Sequence, residues 1–214
     1  AALASALVSG GCVPVADGAE ADLVILNTCT VTASADADVR KEVRRARRRN
    51  PSARILVTGC FAERAPGEAA ALPGVSWVVG NSGRMKIPEM LGVPEGTSPR
   101  PAAVCWDRTR PTLKIQDGCS FHCSYCIIPA VRGPSRSLPP GRVVAELREL
   151  ARDSREVVLS GVNLGRWGRE PVIRMRLEDL LRRLLDETGV GRLRLSSVEP
   201  MDLTGDLLDL MAST

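Results

Sequence analysis

Cys119-Ser-Phe-His-Cys123-Ser-Tyr-Cys126 sets three cysteines in a C-x3-C-x2-C spacing. Thiolates this close along a chain can converge on one metal centre. A closed structural zinc site takes four protein ligands, commonly as two C-x2-4-C pairs. A cluster held at every corner also takes four. Three thiolates leave at least one coordination position free to bind something else. A zinc knuckle here would need His122 as its fourth ligand, but His122 adjoins Cys123, and adjacent residues in an extended loop point apart. The ligand count favours an iron–sulfur cluster with one open iron over zinc. Gly118 lets the chain turn sharply into the loop.

Two further cysteines share a setting. Leu23-Val-Ile-Leu26 is a short apolar run that reads as a buried parallel strand, and Asn27-Thr-Cys29-Thr leaves its carboxyl end. Arg54 to Thr58 reads as the next strand, and Gly59-Cys60 leaves it in the same way. Ligands collect at the carboxyl ends of strands in parallel sheets. If the two strands are neighbours, the thiols of Cys29 and Cys60 can converge.

The elements that must position these residues alternate. Ala1 to Ser9 reads as the tail of a helix that Gly10-Gly11 ends. A helix capped by Thr32 or Ser34 runs to about Asn50, with Ala35, Val39, Val43 and Ala46 inward and Arg40, Arg44, Arg47 and Arg48 outward. A helix around Glu68 to Leu72, a strand Trp77 to Val79 and a helix Met85 to Leu91 follow. Prolines and glycines mark residues 92–111 as a linker. Alternation then resumes: a strand Thr112 to Gln116, a helix of about Gly141 to Ala151, a strand Glu156 to Leu159, a Leu-striped helix from Leu177 to Leu185, and a strand Arg192 to Ser196. This order predicts an α/β fold with two domains. Residues 1–91 read as a parallel α/β domain, and 112–214 as the first β/α units of a barrel-like array. Trp167 either stacks on a base or closes the loop after Asn163.

Composition bounds the function classes. The chain has 214 residues, 44% hydrophobic but only 3% aromatic, so its core is aliphatic. No apolar run approaches a membrane span, and no signal-peptide pattern is present. Seven cysteines that cluster, without a secretory signal, favour metal ligation in a reducing, cytoplasmic compartment over disulfides. Formal net charge is +4, yet residues 40–49 alone carry seven positive and one negative side chains, so the remainder is −2. The chain opens at Ala1 rather than Met and closes inside a helical pattern, and so reads as a fragment.

Asn27-Thr-Cys29-Thr-Val-Thr, Thr58-Gly-Cys60, Gln116-Asp-Gly-Cys119, Ile127-Ile-Pro129, Arg132-Gly133, Gly161-Val-Asn163 and Ser196-Ser-Val-Glu-Pro200 follow one another in an order that resembles the methylthiotransferases of the radical S-adenosylmethionine (radical SAM) superfamily. The wording of these motifs is most similar to the branch acting on N6-threonylcarbamoyladenosine in tRNA. Sister branches act on isopentenyladenosine in tRNA or on a ribosomal-protein aspartate. The resemblance covers nearly the whole chain. It implies that 1–91 is a flavodoxin-like domain lacking its first strand and that 112–214 is the first part of a radical SAM (β/α) partial barrel. It also implies a 4Fe-4S cluster on Cys119, Cys123 and Cys126 whose free iron chelates SAM, and a second cluster on the N-terminal domain. Only Cys29 and Cys60 are present for that second site, so its third ligand is missing. Cys12 follows a helix rather than the first strand and takes no ligand role, and Cys105 is incidental.

The resemblance also implies roles for other residues. Tyr125 matches the favoured aromatic before the last cysteine, and Gly161 and Asn163 fit the SAM amino group. Ser196 and Glu199 fit the ribose or methionine part of SAM. Arg132 and Arg136 can meet a carboxylate or phosphate through paired hydrogen bonds. Apart from the resemblance, the charge of Arg40, Arg44, Arg47 and Arg48 fits a solvated helix face first and RNA contacts second. The implied reaction splits SAM homolytically and installs a methylthio group at C2 of the adenine. Its partners are tRNA and a reductant such as a flavodoxin or ferredoxin. Oligomeric state leaves no mark in the sequence. A metal-bearing RNA-binding module without catalysis, or an electron carrier, are the competing classes. An open iron suits the carrier poorly.

Overall fold

The computed structural model describes residues 2–16, 20–94 and 110–214. Cys105 and most of the expected linker 92–111 lie outside them. Two compact units hold the described residues, the first within Ala1–Val104 and Tyr125–Val131, the second within Cys105–Ser124 and Arg132–Thr214.

In the first unit, helix α1 (Ala2–Ser9) precedes strand β1 (Leu23–Thr28), helix α2 (Ala33–Arg49) and strand β2 (Arg54–Gly59). Two short helices, α3 (Cys60–Arg64) and α4 (Pro66–Ala70), lead to strand β3 (Val75–Val79), and a 3-10 turn at Arg84–Lys86 runs into α5 (Ile87–Met90). The strands form a parallel sheet in the order β1-β2-β3. The central strand β2 is buried from Ile55 to Gly59, as a parallel strand covered on both faces must be. Its alternating side chains feed two cores. Ile55 and Val57 pack with Val39, Val43, Phe61 and Ala69. Leu56 packs on the other face with Leu3, Leu7 and Ile87.

Helix α2 begins where the sequence places its cap. Thr32 Oγ1 accepts a hydrogen bond from the Ala35 N–H at 3.1 Å, a contact worth about 1 kcal/mol. Helix α3 went unread because one turn of Cys-Phe-Ala-Glu-Arg has no visible periodicity. The helix expected at Glu68 to Leu72 is α4, which starts and ends two residues earlier, since Pro66 can occupy a first turn without losing a hydrogen bond. The single helix expected from Met85 to Leu91 is a 3-10 turn followed by α5, with Pro88 in the first turn.

The second unit starts with strand β4 (Thr112–Lys114) and strand β5 (Gln116–Asp117). Helix α6 (Ile128–Arg132) comes next in the chain but falls within the first unit as far as Val131, and strand β6 (Arg136–Ser137), helix α7 (Pro140–Asp153) and strand β7 (Glu156–Ser160) follow in the second. Helix α8 (Leu177–Thr188), strand β8 (Arg192–Leu195) and helix α9 (Gly205–Ser213) complete it. The main sheet is parallel with the order β4-β7-β8. Leu177, Leu180, Leu181 and Leu184 of α8 pack with Val143, Val144 and Leu147 of α7 over this sheet. Gly189 ends α8 in the left-handed conformation (φ 66°) that glycine adopts without penalty.

One expected strand is two. The run Thr112 to Gln116 leaves the parallel sheet at Ile115. There the backbone N–H still donates to Ser160 O (2.9 Å), while the carbonyl accepts from Leu138 N (2.8 Å). Gln116 and Asp117 then pair antiparallel with Ser137 and Arg136. This swerve turns the Gln116 side chain into the protein, where it is only 2% exposed. No described helix is long and apolar enough to cross a membrane.

Candidate functional site

Gly118 carries the chain from β5 into the cysteine loop with φ 71°, and a Cβ there would strike the carbonyl oxygens of Gly133 and Pro134. Only glycine fits that turn. The loop beyond it is held by main-chain contacts. Cys119 N donates to Gly133 O at 3.1 Å, and Ser135 N donates to Ser120 Oγ at 3.1 Å. The Phe121 N–H lies 3.4 Å from Cys119 Sγ and donates to it.

Gln116 joins this loop to the end of β7. Its Oε1 accepts from both Val162 N (2.8 Å) and Asn163 N (3.0 Å). Its Nε2 donates to Gly118 O (2.8 Å), Asp117 O (3.2 Å) and Ser135 Oγ (3.0 Å). Gly161 N donates in turn to Ser196 Oγ at 3.2 Å, which ties the same loop to the end of β8. The carboxyl ends of neighbouring strands β7 and β8 are thus cross-linked beside Cys119.

A cavity of about 350 Å³ opens here, lined by Cys119, Phe121, Asn163, Arg166 and Glu170 among others. Asn163 is buried, and its Oδ1 has no hydrogen-bond partner. Glu170 Oε1 accepts from Ser137 Oγ at 2.9 Å and Ser135 Oγ at 3.4 Å, whereas its buried Oε2 has no partner. Buried acceptors left unpaired cost free energy unless a ligand or water donates to them. Both residues line the cavity.

The far wall is ionic. Asp202, 4% exposed, meets Arg169 Nη2 at 2.7 Å and lies 3.3 Å from Arg166 Nε. Gly165 leaves room for that carboxylate, since a Cβ there would collide with it. The Arg166 guanidinium lies 4.2 Å from the Phe121 ring centre. At the mouth of the loop, burial opposes ionisation of Asp117. The Lys114 ammonium (2.8 Å), the Gly118 N–H (3.0 Å) and the Arg132 charge outweigh it and hold this carboxyl below its ordinary value.

The first unit holds the other cysteine pair. Strands β1 and β2 are parallel neighbours, with Thr28 opposite Gly59. Cys29 and Cys60 therefore leave adjacent strand ends one residue beyond a matched pair. Cys29 is exposed and Cys60 is buried. Arg64 of α3 clasps the Cys29 loop: its Nε donates to Thr30 Oγ1 (2.8 Å) and its Nη2 to Asp36 Oδ2 (2.7 Å). Asn81 Nδ2 lies 3.8 Å from Cys60 Sγ.

The other candidate residues fall as follows. Tyr125 is 90% exposed and Glu199 is exposed, and neither lines the cavity. Arg132 pairs with Asp117, and Arg136 donates to Arg132 O at 3.0 Å, so both guanidinium groups already have partners. Arg44 and Arg48 are exposed, Arg40 pairs with Glu68 at 2.8 Å, and Arg47 donates to Pro51 O. Trp167 is 1% exposed and its indole N–H donates to Leu138 O at 3.1 Å. It closes the loop and has no face left for a base. Sequence reasoning missed Phe121, Arg166, Glu170 and Asp202, and it read Gln116 only as part of a motif. The polar pair Gln116-Asp117 directly after an apolar strand was the available signal.

Among the described residues, no three His, Cys, Asp or Glu side chains are gathered closely enough to hold a metal ion. Metal binding itself supplies free energy that gathers such ligands. The donor set nonetheless suits an iron–sulfur group. Cys119, Cys123 and Cys126 are free thiols on an irregular loop, and Cys119 Sγ receives a backbone N–H. The orphaned Asn163 Oδ1 shares Cys119's cavity.

Two family models match. Residues 1–80 match Uncharacterized protein family UPF0004, and residues 113–214 match the Radical SAM superfamily. Threonylcarbamoyladenosine tRNA methylthiotransferase MtaB of Bacillus subtilis (strain 168) is 36% identical over 218 residues, covering 89% of this chain and 46% of the relative. The protein of the same name from Chlamydia pneumoniae is 38% identical, covering 87% of this chain and 44% of its own length. The tRNA-2-methylthio-N(6)-dimethylallyladenosine synthase of Sphingopyxis alaskensis (strain DSM 13593 / LMG 18877 / RB2256) is 34% identical, covering 96% and 51%. The chain spans about half the length of these curated relatives.

Proposed function

The chain belongs to the radical SAM methylthiotransferase family, and from that premise we propose that it serves the addition of a methylthio group to C2 of N6-threonylcarbamoyladenosine in tRNA. The observation that carries this reading is the cavity shared by Cys119 and the unpartnered Asn163 Oδ1 at the carboxyl end of the parallel sheet. The wording of the motifs and the names of the two MtaB relatives support the threonylcarbamoyl substrate over the dimethylallyl one.

Cys119, Cys123 and Cys126 would hold a 4Fe-4S cluster, which, with SAM bound, supplies the electron that splits the sulfonium and so permits attack on an unreactive C–H bond. The chain's own residues bind and orient. Asn163 Oδ1, buried without a partner, would accept a hydrogen bond from the amino group of SAM, and Gly161, fixed by Ser196, would bring the backbone close. Glu170 Oε2 offers a second acceptor. Phe121 and Arg166 cover one side of the cavity and keep water from it. Cys29 and Cys60 would supply two ligands of a second cluster, with Arg64 holding their loops together. Tyr125, Glu199, Arg132 and Arg136 remain candidates for contacts to SAM or tRNA. Arg44 and Arg48 offer the freest charges for tRNA phosphates. The reductant is a low-potential cytoplasmic carrier such as a flavodoxin or ferredoxin.

The test is anaerobic iron and acid-labile sulfide per chain, on this protein and on a variant with Cys119, Cys123 and Cys126 all changed to Ala. About four irons lost in the variant, as one such cluster requires, and reductive cleavage of added SAM support the proposal. Uptake of zinc alone after reconstitution with iron and sulfide overturns it. Mass spectrometry of tRNA nucleosides then separates the two adenosine substrates.

A further inference from the structure

We propose that Gln116 is a positioning residue that locks the start of the cysteine loop to the Gly161–Asn163 loop. The inference rests on the reading of these loops as cluster and SAM loops for its purpose, but its geometry stands apart from that reading. One buried carboxamide serves both loops, each through a different atom. Its oxygen takes the two N–H groups of Val162 and Asn163, and its nitrogen serves the carbonyls of Asp117 and Gly118 and the hydroxyl of Ser135.

No other side chain type can replace it. The site needs an acceptor on one side and a donor on the other, at the reach of a two-carbon stem. Glutamate keeps the acceptor but turns its second oxygen toward the two carbonyls. Leucine keeps the bulk and satisfies neither side. Gly161 adds a steric condition, because a Cβ there would sit 2.8 Å from Gln116 Oε1 and push the carboxamide away. The side chain is 2% exposed, so water cannot readily substitute for either set of bonds.

The two variants separate the halves of the lock. Amide hydrogen exchange on metal-free protein reads them without any cofactor. In Gln116→Leu, exchange at Val162 and Asn163 should rise about tenfold or more, as expected when two buried donors lose a shared acceptor. Exchange at Val157 and Leu159 should stay slow. In Gln116→Glu, Val162 and Asn163 should stay protected while 118–121 exchange faster. Unchanged exchange at Val162 and Asn163 in Gln116→Leu overturns the proposal. Should Gln116→Leu not fold, Gln116→Glu decides alone: equal exchange in the two loops overturns it, and the split supports it. On anaerobically reconstituted protein, Gln116→Leu should bind SAM about tenfold more weakly per cluster, the loss expected for a displaced polar contact, and parent-like affinity counts against the lock. A parent that takes up no iron ends the cluster reading instead and leaves the exchange result standing.

Discussion

The guanidinium of Arg166 lies 4.2 Å from the centre of the Phe121 ring, so the cysteine loop is pinned from the side by a cation that Asp202 holds in place. Arg166 follows the Gly161–Asn163 loop, and Asp202 follows β8. The stack therefore brings a third strand end to bear on the cysteine loop, beside the contacts made by Gln116.

A double-mutant cycle measures that contact. Phe121→Leu keeps apolar bulk and removes the ring face, and Arg166→Lys keeps charge and removes the planar fork. Urea unfolding of parent, singles and double should give a coupling of about 0.5–1 kcal/mol, the usual worth of a partly exposed cation–π pair. Additive single effects would show that the stack is geometry without energy.

Gly59 is the second test. Its φ of 101° lies where side chains rarely go, and a Cβ would sit 2.8 Å from Thr28 N and 2.9 Å from Asn27 Oδ1. Gly59→Ala should cost about 1–3 kcal/mol from strained backbone, with added cost from the clash. The same change should separate the ends of β1 and β2. Reaction of the Cys29 and Cys60 thiols with a bifunctional arsenical reads that separation directly. Crosslinking at the parental rate would mean the glycine sets stability alone.

How much of this was legible in the sequence follows from what each signal depends on. The alternation of strands and helices, the Thr32 cap and the Leu stripe of α8 are local patterns, and the fold obeys them. The cysteine triplet was legible because spacing alone restricts ligand number. Gln116, Arg166 and Asp202 act through partners 20 or more residues away, and a single sequence carries no sign of which buried amide meets which backbone. Trp167 shows the reverse difficulty. Its position after Asn163 suited base stacking, but burial against Leu138 could be seen only once β6 and the loop after β7 were brought together. The split of 112–116 into two strands escaped notice for the same reason, since a change of pairing partner at Ile115 leaves no trace in periodicity.

Acid should act on the cysteine loop through Asp117. Its carboxyl titrates below the ordinary aspartate value of 3.8, because burial is outweighed by Lys114, the Gly118 N–H and Arg132. A depressed folded value means that the carboxylate contributes stability above the unfolded value. That contribution is lost as pH falls through the lower folded value. Asp117→Asn should therefore lower stability at neutral pH and flatten its decline below about pH 4. Thermal melts between pH 2 and pH 7 compare the two curves. Parallel acid limbs would remove Asp117 from the account.

The basic face of α2 divides into charges with partners, Arg40 and Arg47, and exposed ones, Arg44 and Arg48. Arg40 bridges to Glu68 and lies 5.9 Å from the centre of the Phe61 ring, and Arg47 donates to Pro51 O, so both help hold the helix in the first unit. Arg44 and Arg48 are exposed one turn apart. If tRNA phosphates meet this face, changing both to Ala should weaken binding and reduce the slope of log affinity against log salt by about 1–2, since each phosphate contact contributes about 0.7–0.9. Arg40→Ala should instead appear in the melt, by the modest amount an exposed ion pair gives. Filter binding across salt concentrations reads the first effect and thermal unfolding the second. An unchanged salt slope in the double variant would return the Arg-rich helix to the role of a solvated face, with the tRNA contact sought elsewhere on the chain.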